Sequence, residues 1–117
     1  MEVLMNAAEK VAEYARTTKL FADANPDTMH QWDNLIGTAF ANGGPLDPAM
    51  MQLIIIAVSV AKGNEPGIYV HTDFYIKAGG TREALVSALT MVILACGGHA
   101  YGHAGQTLDI FDELSAK

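Results

Sequence analysis

Two apolar stretches without a polar face constrain the fold of this chain more than any other feature. Residues 53–61 and 84–96 contain no Asp, Glu, Lys or Arg. Both are shorter than the roughly 20 residues that a bilayer-spanning helix needs, so we expect them to be buried in protein. Helix start and stop signals flank each stretch. These signals are Asp47, Pro48 and Gly63 for the first stretch, and Thr81, Gly97 and Gly98 for the second.

Proline, glycine and capping residues divide the rest of the chain into further helical segments. The first segment is amphipathic, and Asn25 followed by Pro26 marks the start of the second. The β-branched residues of the segment 48–62 would also suit a strand, but the proline at its start and its length favour a helix. The sequence therefore predicts an all-α domain spanning residues 1–117. The predicted helices are 2–21, 26–40, 48–62, 68–77, 82–96 and 100–114.

Composition and charge limit the kinds of molecule that this chain can bind. Half of the 117 residues are hydrophobic and only 17% are charged, a surplus of apolar groups that predicts burial between identical subunits. A formal charge of −6 with only seven Lys and Arg residues argues against nucleic-acid binding. The N-terminus has neither a basic cluster nor a long apolar run, so we expect a cytoplasmic protein that is neither secreted nor membrane-bound.

Few residues can carry chemistry. The sequence has no glycine-rich phosphate loop, no paired-cysteine zinc site and no serine nucleophile elbow. His99 and His103 share a helix face and could bind a metal together with Asp109 or another subunit, but close packing of a glycine-rich helix start is the simpler interpretation, and we predict no metal. Cys96 is the only cysteine, which excludes dithiol chemistry within one chain, and we expect a buried, inert thiol. Trp32 is expected in the core, with a pocket wall as the alternative.

An ordered set of residues in the middle of the chain resembles a known family. Gln52, the apolar run 53–58, Asn64 and His71 are followed by Ala-Gly-Gly-Thr at 78–81. In this order and spacing they resemble the carboxymuconolactone decarboxylase and alkylhydroperoxidase (AhpD)-like family, over roughly residues 20 to 115. The resemblance implies an all-α fold, assembly as trimers or hexamers, and no organic cofactor.

The peroxidase branch of that family uses a Glu, two cysteines and a His. In this chain the four corresponding positions hold Gln52, Asn64, Gly67 and His71. Neither Asn nor Gly can attack a peroxide or resolve the intermediate, and Gln cannot accept the proton that Glu would take. The chain thus resembles a divergent member that lacks the cysteine pair, and we do not expect thiol peroxidase activity.

The decarboxylase branch lacks the cysteine pair and keeps the His, and the sequence around His71 resembles it more closely. The resemblance implies removal of carbon dioxide from a small lactone that carries a carboxylate. A histidine with a pKa near 6.5 suits proton delivery to carbon at neutral pH. We therefore predict His71 as the catalytic residue, with Gln52, Asn64 and Tyr69 orienting the substrate through neutral hydrogen bonds. The basic residues nearest to His71 in the sequence that could bind the substrate carboxylate are Lys62, Lys77 and Arg82.

Two alternatives stay open on this evidence. The chain can be a non-catalytic oligomeric helical protein with a vestigial small-molecule pocket, in which case His71 is a satisfied core histidine. It can also be a divergent oxidoreductase related to the alkylhydroperoxidases.

Overall fold

The computed structural model describes residues 4–41 and 44–116, and these residues form an all-α domain without strands. The predicted fold class is confirmed. Residues 2–3, at the start of the first predicted helix, and the stop signal at residues 42–43 lie outside the described residues. Residues 4–6 are described and are not helical, so the predicted start of the first helix is wrong, because Asn6 caps a helix that begins at Ala7. Six helices follow one another along the chain: α1 Ala7–Ala24, α2 Pro26–Ala41, α3 Pro48–Lys62, α4 Glu65–Lys77, α5 Arg82–Cys96 and α6 His99–Ser115.

Capping residues explain where the observed helices begin. The amide of Glu9 donates to the Asn6 side chain at 2.9 Å and the amide of Asn6 donates to Glu9 at 3.0 Å, which closes a capping box before α1. The predicted start of α4 at residue 68 is wrong, because Asn64 caps the helix and Pro66 lies in its first turn. A proline there needs no amide hydrogen, so the helix includes it.

The core lies around α3, which packs against α4, α5 and α6. Burial of this helix was predicted from the lack of a polar face. The neighbouring helices each turn one stripe of buried side chains toward it, with the spacing expected for an α-helix. On α4 this stripe is Ile68, Thr72 and Tyr75, and on α5 it is Leu85, Leu89 and Val92.

Apolar side chains also cover two surfaces that the chain leaves open. α2 packs mainly against α1 and has no buried residue. Trp32 on this helix is 54% exposed, so its expected place in the core is wrong. The second surface is a groove of about 450 Å³ between α3 and α5, lined by Ile54, Val58, Met91 and a half-buried Cys96 among others. The thiol is therefore less buried than the sequence suggested.

Among the described residues, none of the helices combines the length and the apolar character needed to cross a membrane.

The turn after α4 depends on the absence of a side chain at Gly80. A β-carbon at this position would overlap the ring of Tyr75, which is buried and donates from its hydroxyl to the carbonyl of Thr81 at 2.7 Å. We expect Gly80→Ala to lower the free energy of unfolding by about 1–3 kcal/mol, as overpacking of a core does. Urea denaturation of the purified variant measures this loss.

Gly105→Ala is the matched control. Gly105 lies within α6 and has open space where a β-carbon would be. Replacing a helical glycine by alanine typically stabilises by about 0.5–1 kcal/mol. Equal effects of the two substitutions would show that contact with Tyr75 does not govern the turn.

Candidate functional site

The hairpin of α3 and α4 brings two of the predicted site residues, Gln52 and His71, together. Gly63 ends α3 in the left-handed region at φ 67°, and Asn64 caps α4 directly afterwards. The two helices therefore run back along each other. Across this hairpin, Gln52 Oε1 lies 2.8 Å from His71 Nδ1, and Gln52 is buried.

The surroundings of His71 favour its neutral imidazole form. The ring is half-buried and packs edge-on against Phe74, with ring centroids 5.7 Å apart. Burial lowers the pKa of His71 below its ordinary value of 6.5, because desolvation disfavours the imidazolium. Gln52 Oε1 can only accept a hydrogen bond, so the matching tautomer of His71 carries its hydrogen on Nδ1 and donates a hydrogen bond to Gln52. Nε2 is then the nitrogen whose lone pair is available to a ligand.

A cavity of about 640 Å³ lies beside His71, between α1, α2 and α4. Gln52 is not among its lining residues, so it supports His71 from behind. The walls combine aromatic and aliphatic side chains with a few charged ones. They are formed by Val11, Tyr14, Ala15, Thr18, Lys19, Ala22, Met29, Trp32, Asp33, Ile36, Val70, His71, Asp73, Phe74 and Lys77.

Two lysines supply positive charge to this cavity. Lys77 lies 2.8 Å from Asp73, and Lys19 lies 2.8 Å from Asp23. Of the three basic residues that the sequence suggested, only Lys77 lines the cavity. Arg82 is paired with Asp112 at 2.8 Å instead. Lys19 was missed, although its place beside the apolar stripe of α1 was a usable signal.

Asn64 and Tyr69 do not line the cavity. The Asn64 side chain accepts a hydrogen bond from the amide of Gly67 at 3.3 Å and so caps α4. Tyr69 packs against Tyr14, with ring centroids 5.9 Å apart, and Tyr14 lines the cavity. Tyr14 in turn donates to Glu65 at 3.2 Å. The structure thus brings Gln52 and His71 together and places the other two residues behind or beside the cavity wall.

Polar side chains occupy the space around Gly67, one of the two positions at which the resemblance to the peroxidase branch implies a cysteine. A β-carbon at Gly67 would lie 2.7 Å from Asn64 Nδ2 and 2.7 Å from Ser59 Oγ. A side chain at position 67 would therefore collide with the cap of α4. Cys96 lines the groove between α3 and α5, which contains neither Gln52 nor His71.

His99 and His103 make separate contacts. His99 Nε2 lies 3.4 Å from the carbonyl oxygen of Ala61, and His103 Nδ1 lies 3.3 Å from Gln106 Oε1. No group of three or more His, Cys, Asp or Glu side chains suited to a metal occurs within residues 4–41 and 44–116. The pair has no third ligand in that part of the chain.

Comparison with known proteins places the chain in a family. The model of the carboxymuconolactone decarboxylase family matches residues 26–108, which is more than half of the chain. The chain belongs to the carboxymuconolactone decarboxylase family. The resemblance inferred from Gln52, Asn64 and His71 is thereby confirmed at the family level.

A solved structure and a curated relative agree with this assignment. The crystal structure of apo-lpg0406, a carboxymuconolactone decarboxylase family protein from Legionella pneumophila, superimposes with a TM-score of 0.87 at 28% sequence identity. The match covers 93% of this chain and 96% of that one. An uncharacterised protein from Cupriavidus necator is 29% identical over 107 residues, covering 92% of this chain and 94% of the relative.

The lowered pKa of His71 predicts a pH-dependent stability. Because the folded chain protonates His71 at a lower pH than the unfolded chain does, the unfolded state binds more protons below about pH 6.5. His71 therefore makes the free energy of unfolding fall as the pH drops from about 6.5 toward the pKa of the folded state. We expect His71→Gln to lose less stability than the wild type between about pH 7 and about pH 5. Urea denaturation at both pH values measures the difference.

His30→Gln is the control for this measurement, because His30 is exposed on α2. It should keep the pH dependence of the wild type. If His71→Gln and the wild type lose equal stability, burial does not lower the pKa of His71.

Proposed function

We propose that this protein is a cofactor-free acid/base enzyme of the lyase type, acting on a small carboxylate or lactone, with His71 as the group that transfers the proton. The observation that carries the proposal is the 2.8 Å contact that buried Gln52 makes with His71, which lines a cavity. A buried amide that fixes the orientation and tautomer of a histidine leaves its second nitrogen poised for acid/base work. Family membership supports a decarboxylase-like reaction.

Decarboxylation then needs one proton to be taken up and returned. The substrate binds as the carboxylate, and neutral His71 takes up a proton from water at Nε2, leaving hydroxide in the solvent, while Nδ1–H continues to donate to Gln52. The bond to the carboxylate carbon breaks, carbon dioxide leaves, and the electron pair stays on the substrate carbon. The imidazolium of His71 delivers its proton to that carbon and becomes neutral again. Lys19 and Lys77 are the cations that line the cavity, and on this proposal they stabilise the developing charge.

This proposal excludes sulfur chemistry from the site. Asn64 and Gly67 carry no sulfur, and the one cysteine lies in the groove between α3 and α5. A peroxidase reaction would need a thiolate in place of the cap that Asn64 forms. An acid/base mechanism needs neither cysteine.

Loss of the histidine is the direct test of function. We expect the wild type to turn over a carboxymuconolactone-type substrate and His71→Ala to reduce the turnover number about 100-fold or more, the usual contribution of a general acid or base. A spectrophotometric assay of the purified proteins measures this. His30→Ala, a change of an exposed histidine outside the cavity, should keep wild-type turnover.

The outcomes separate the alternatives. Unchanged turnover in His71→Ala would remove His71 from the mechanism. A wild-type protein that binds such compounds without turning any over would support the non-catalytic alternative with a vestigial pocket.

We further propose that the protein works as a homo-oligomer, a trimer or a hexamer. The radius of gyration is 14.9 Å, whereas a compact chain of this length has about 13 Å. The larger value fits an α2 that packs mainly against α1. The groove between α3 and α5 offers an apolar surface of the kind found at the centre of subunit interfaces.

A charge in this groove should dissociate the assembly. Met91 is exposed and lines the groove, so Met91→Glu would bury a carboxylate in an apolar interface. Sedimentation velocity should show smaller particles for Met91→Glu than for the wild type. Met5→Glu, which changes an exposed methionine ahead of α1, should keep the wild-type size. A monomeric wild type would refute the proposal.

A further inference from the structure

The cavity beside His71 is larger than a small lactone needs. Its volume of about 640 Å³ lies in the middle of the range of roughly 300–1,000 Å³ that is typical for pockets of drug-sized ligands. A substrate that fills it must therefore have a body well beyond the reacting carboxylate. The walls show what kind of body that is.

Most of the cavity wall is apolar, and three helices contribute to it. α2 supplies Met29, Trp32 and Ile36, and α4 supplies Val70 and Phe74. Trp32 keeps 54% of its surface exposed, which is costly for so large an apolar side chain unless something covers it. An apolar ligand part packed against Trp32 and Phe74 would remove that surface from water.

The positive charges lie at the water-facing edge of the cavity. The side chains of Lys19 and Lys77 are 74% and 69% exposed, and they come from two different helices. Each is paired with an Asp four residues away on its own helix. The exposed Lys19–Asp23 pair is worth only a few tenths of a kcal/mol, whereas the Asp73 partner of Lys77 is only 16% exposed. An ammonium group has three donors, so either lysine can also bind a ligand carboxylate. Asp33 and Asp73 in the wall limit how many anionic groups the ligand can bring.

We infer that the ligand of the His71 cavity is an amphipathic acid, whose single anionic head binds Lys19 and Lys77 at the mouth and whose extended apolar body packs against Trp32 and Phe74. This inference deepens the proposed function, on which it rests for the role of His71. Within the carboxylates named there, it specifies a longer acid as the ligand that fills the cavity. Binding of such an acid does not itself require the chemistry at His71.

The chain provides its own reporter for the test. Trp32 is the only tryptophan, so intrinsic fluorescence reports directly on the cavity. The test is a titration of the wild type with hexanoate, octanoate and decanoate below their micellar concentrations. The emission of Trp32 should shift to shorter wavelength, and the affinity should rise about fourfold for each added methylene group. An affinity independent of chain length would overturn the inference that the ligand has an extended apolar body.

A pair of isoleucines distinguishes the cavity from the other apolar groove. Ile36 lines the His71 cavity and is 40% exposed, whereas Ile54 lines the groove between α3 and α5 and is 47% exposed. Ile36→Ser should weaken decanoate binding at least fourfold in calorimetric titration, and Ile54→Ser should leave it unchanged. The reverse pattern would place the acid in the groove and overturn the inference.

A pair of lysines tests the anionic head. Lys77→Met should weaken decanoate binding severalfold, whereas Lys62→Met makes the same charge change at a lysine that does not line the cavity and should have no effect. Decanol should bind the wild type more weakly than decanoate does. Equal binding of the alcohol and the acid would overturn the head-group assignment.

His71→Ala separates this inference from the proposed function. It should still bind decanoate with the chain-length dependence of the wild type, because Lys19, Lys77 and Trp32 remain. Retained binding without any turnover by the wild type would count against the enzyme and for the ligand class. Turnover of a small lactone without binding of the longer acids would do the opposite.

Discussion

The corner between α3 and α4 is the constraint on which the site depends. Gly63 adopts φ 67°, a conformation that favours glycine, and Asn64 starts the next helix at once. With only these two residues between the helices, α3 and α4 must pack side by side, and Gln52 meets His71 at 2.8 Å. A β-carbon at Gly63 would also press on the ring of His103 at 3.2 Å, so the corner is packed against α6 as well. A larger residue there would disturb three helices at one point.

Much of the fold could be predicted because the signals for helix ends are local. α2 and α3 begin at Pro26 and Pro48, and α5 spans 82–96, as the sequence predicts. The start of α4 was missed because the segment 63–67, rich in glycine and proline, has the composition of a loop. A proline in the first turn of a helix loses no hydrogen bond, so composition alone misplaces the boundary. The family resemblance then fixed the arrangement that local signals leave undetermined.

The candidate site was less predictable, because its walls come from distant parts of the chain. Gln52 and His71 were found from their register, but Lys19 and Trp32 reach the cavity only through the packing of α1 and α2. Large aromatic side chains are usually buried, and this general rule put Trp32 in the core. It failed because α2 packs mainly against α1 and leaves its cavity-facing side open. No periodicity within α2 distinguishes a face that meets a core from one that meets a ligand.

The neutral Gln52 sets the chemistry of the histidine opposite, and a Glu at this position, which the resemblance to the peroxidase branch implies, would act differently. A carboxylate at 2.8 Å would favour the imidazolium and raise the pKa of His71. A neutral amide exerts no such pull, so desolvation dominates and the pKa is lowered. A charged Glu/His pair suits the formation of a thiolate, whereas a neutral His held by an amide suits proton transfer with a substrate acid. On the proposed mechanism, the absence of sulfur at positions 64 and 67 and the presence of Gln52 are consistent with one another, because thiol chemistry needs both sulfur at those positions and a charged Glu/His pair, whereas proton transfer by His71 needs neither.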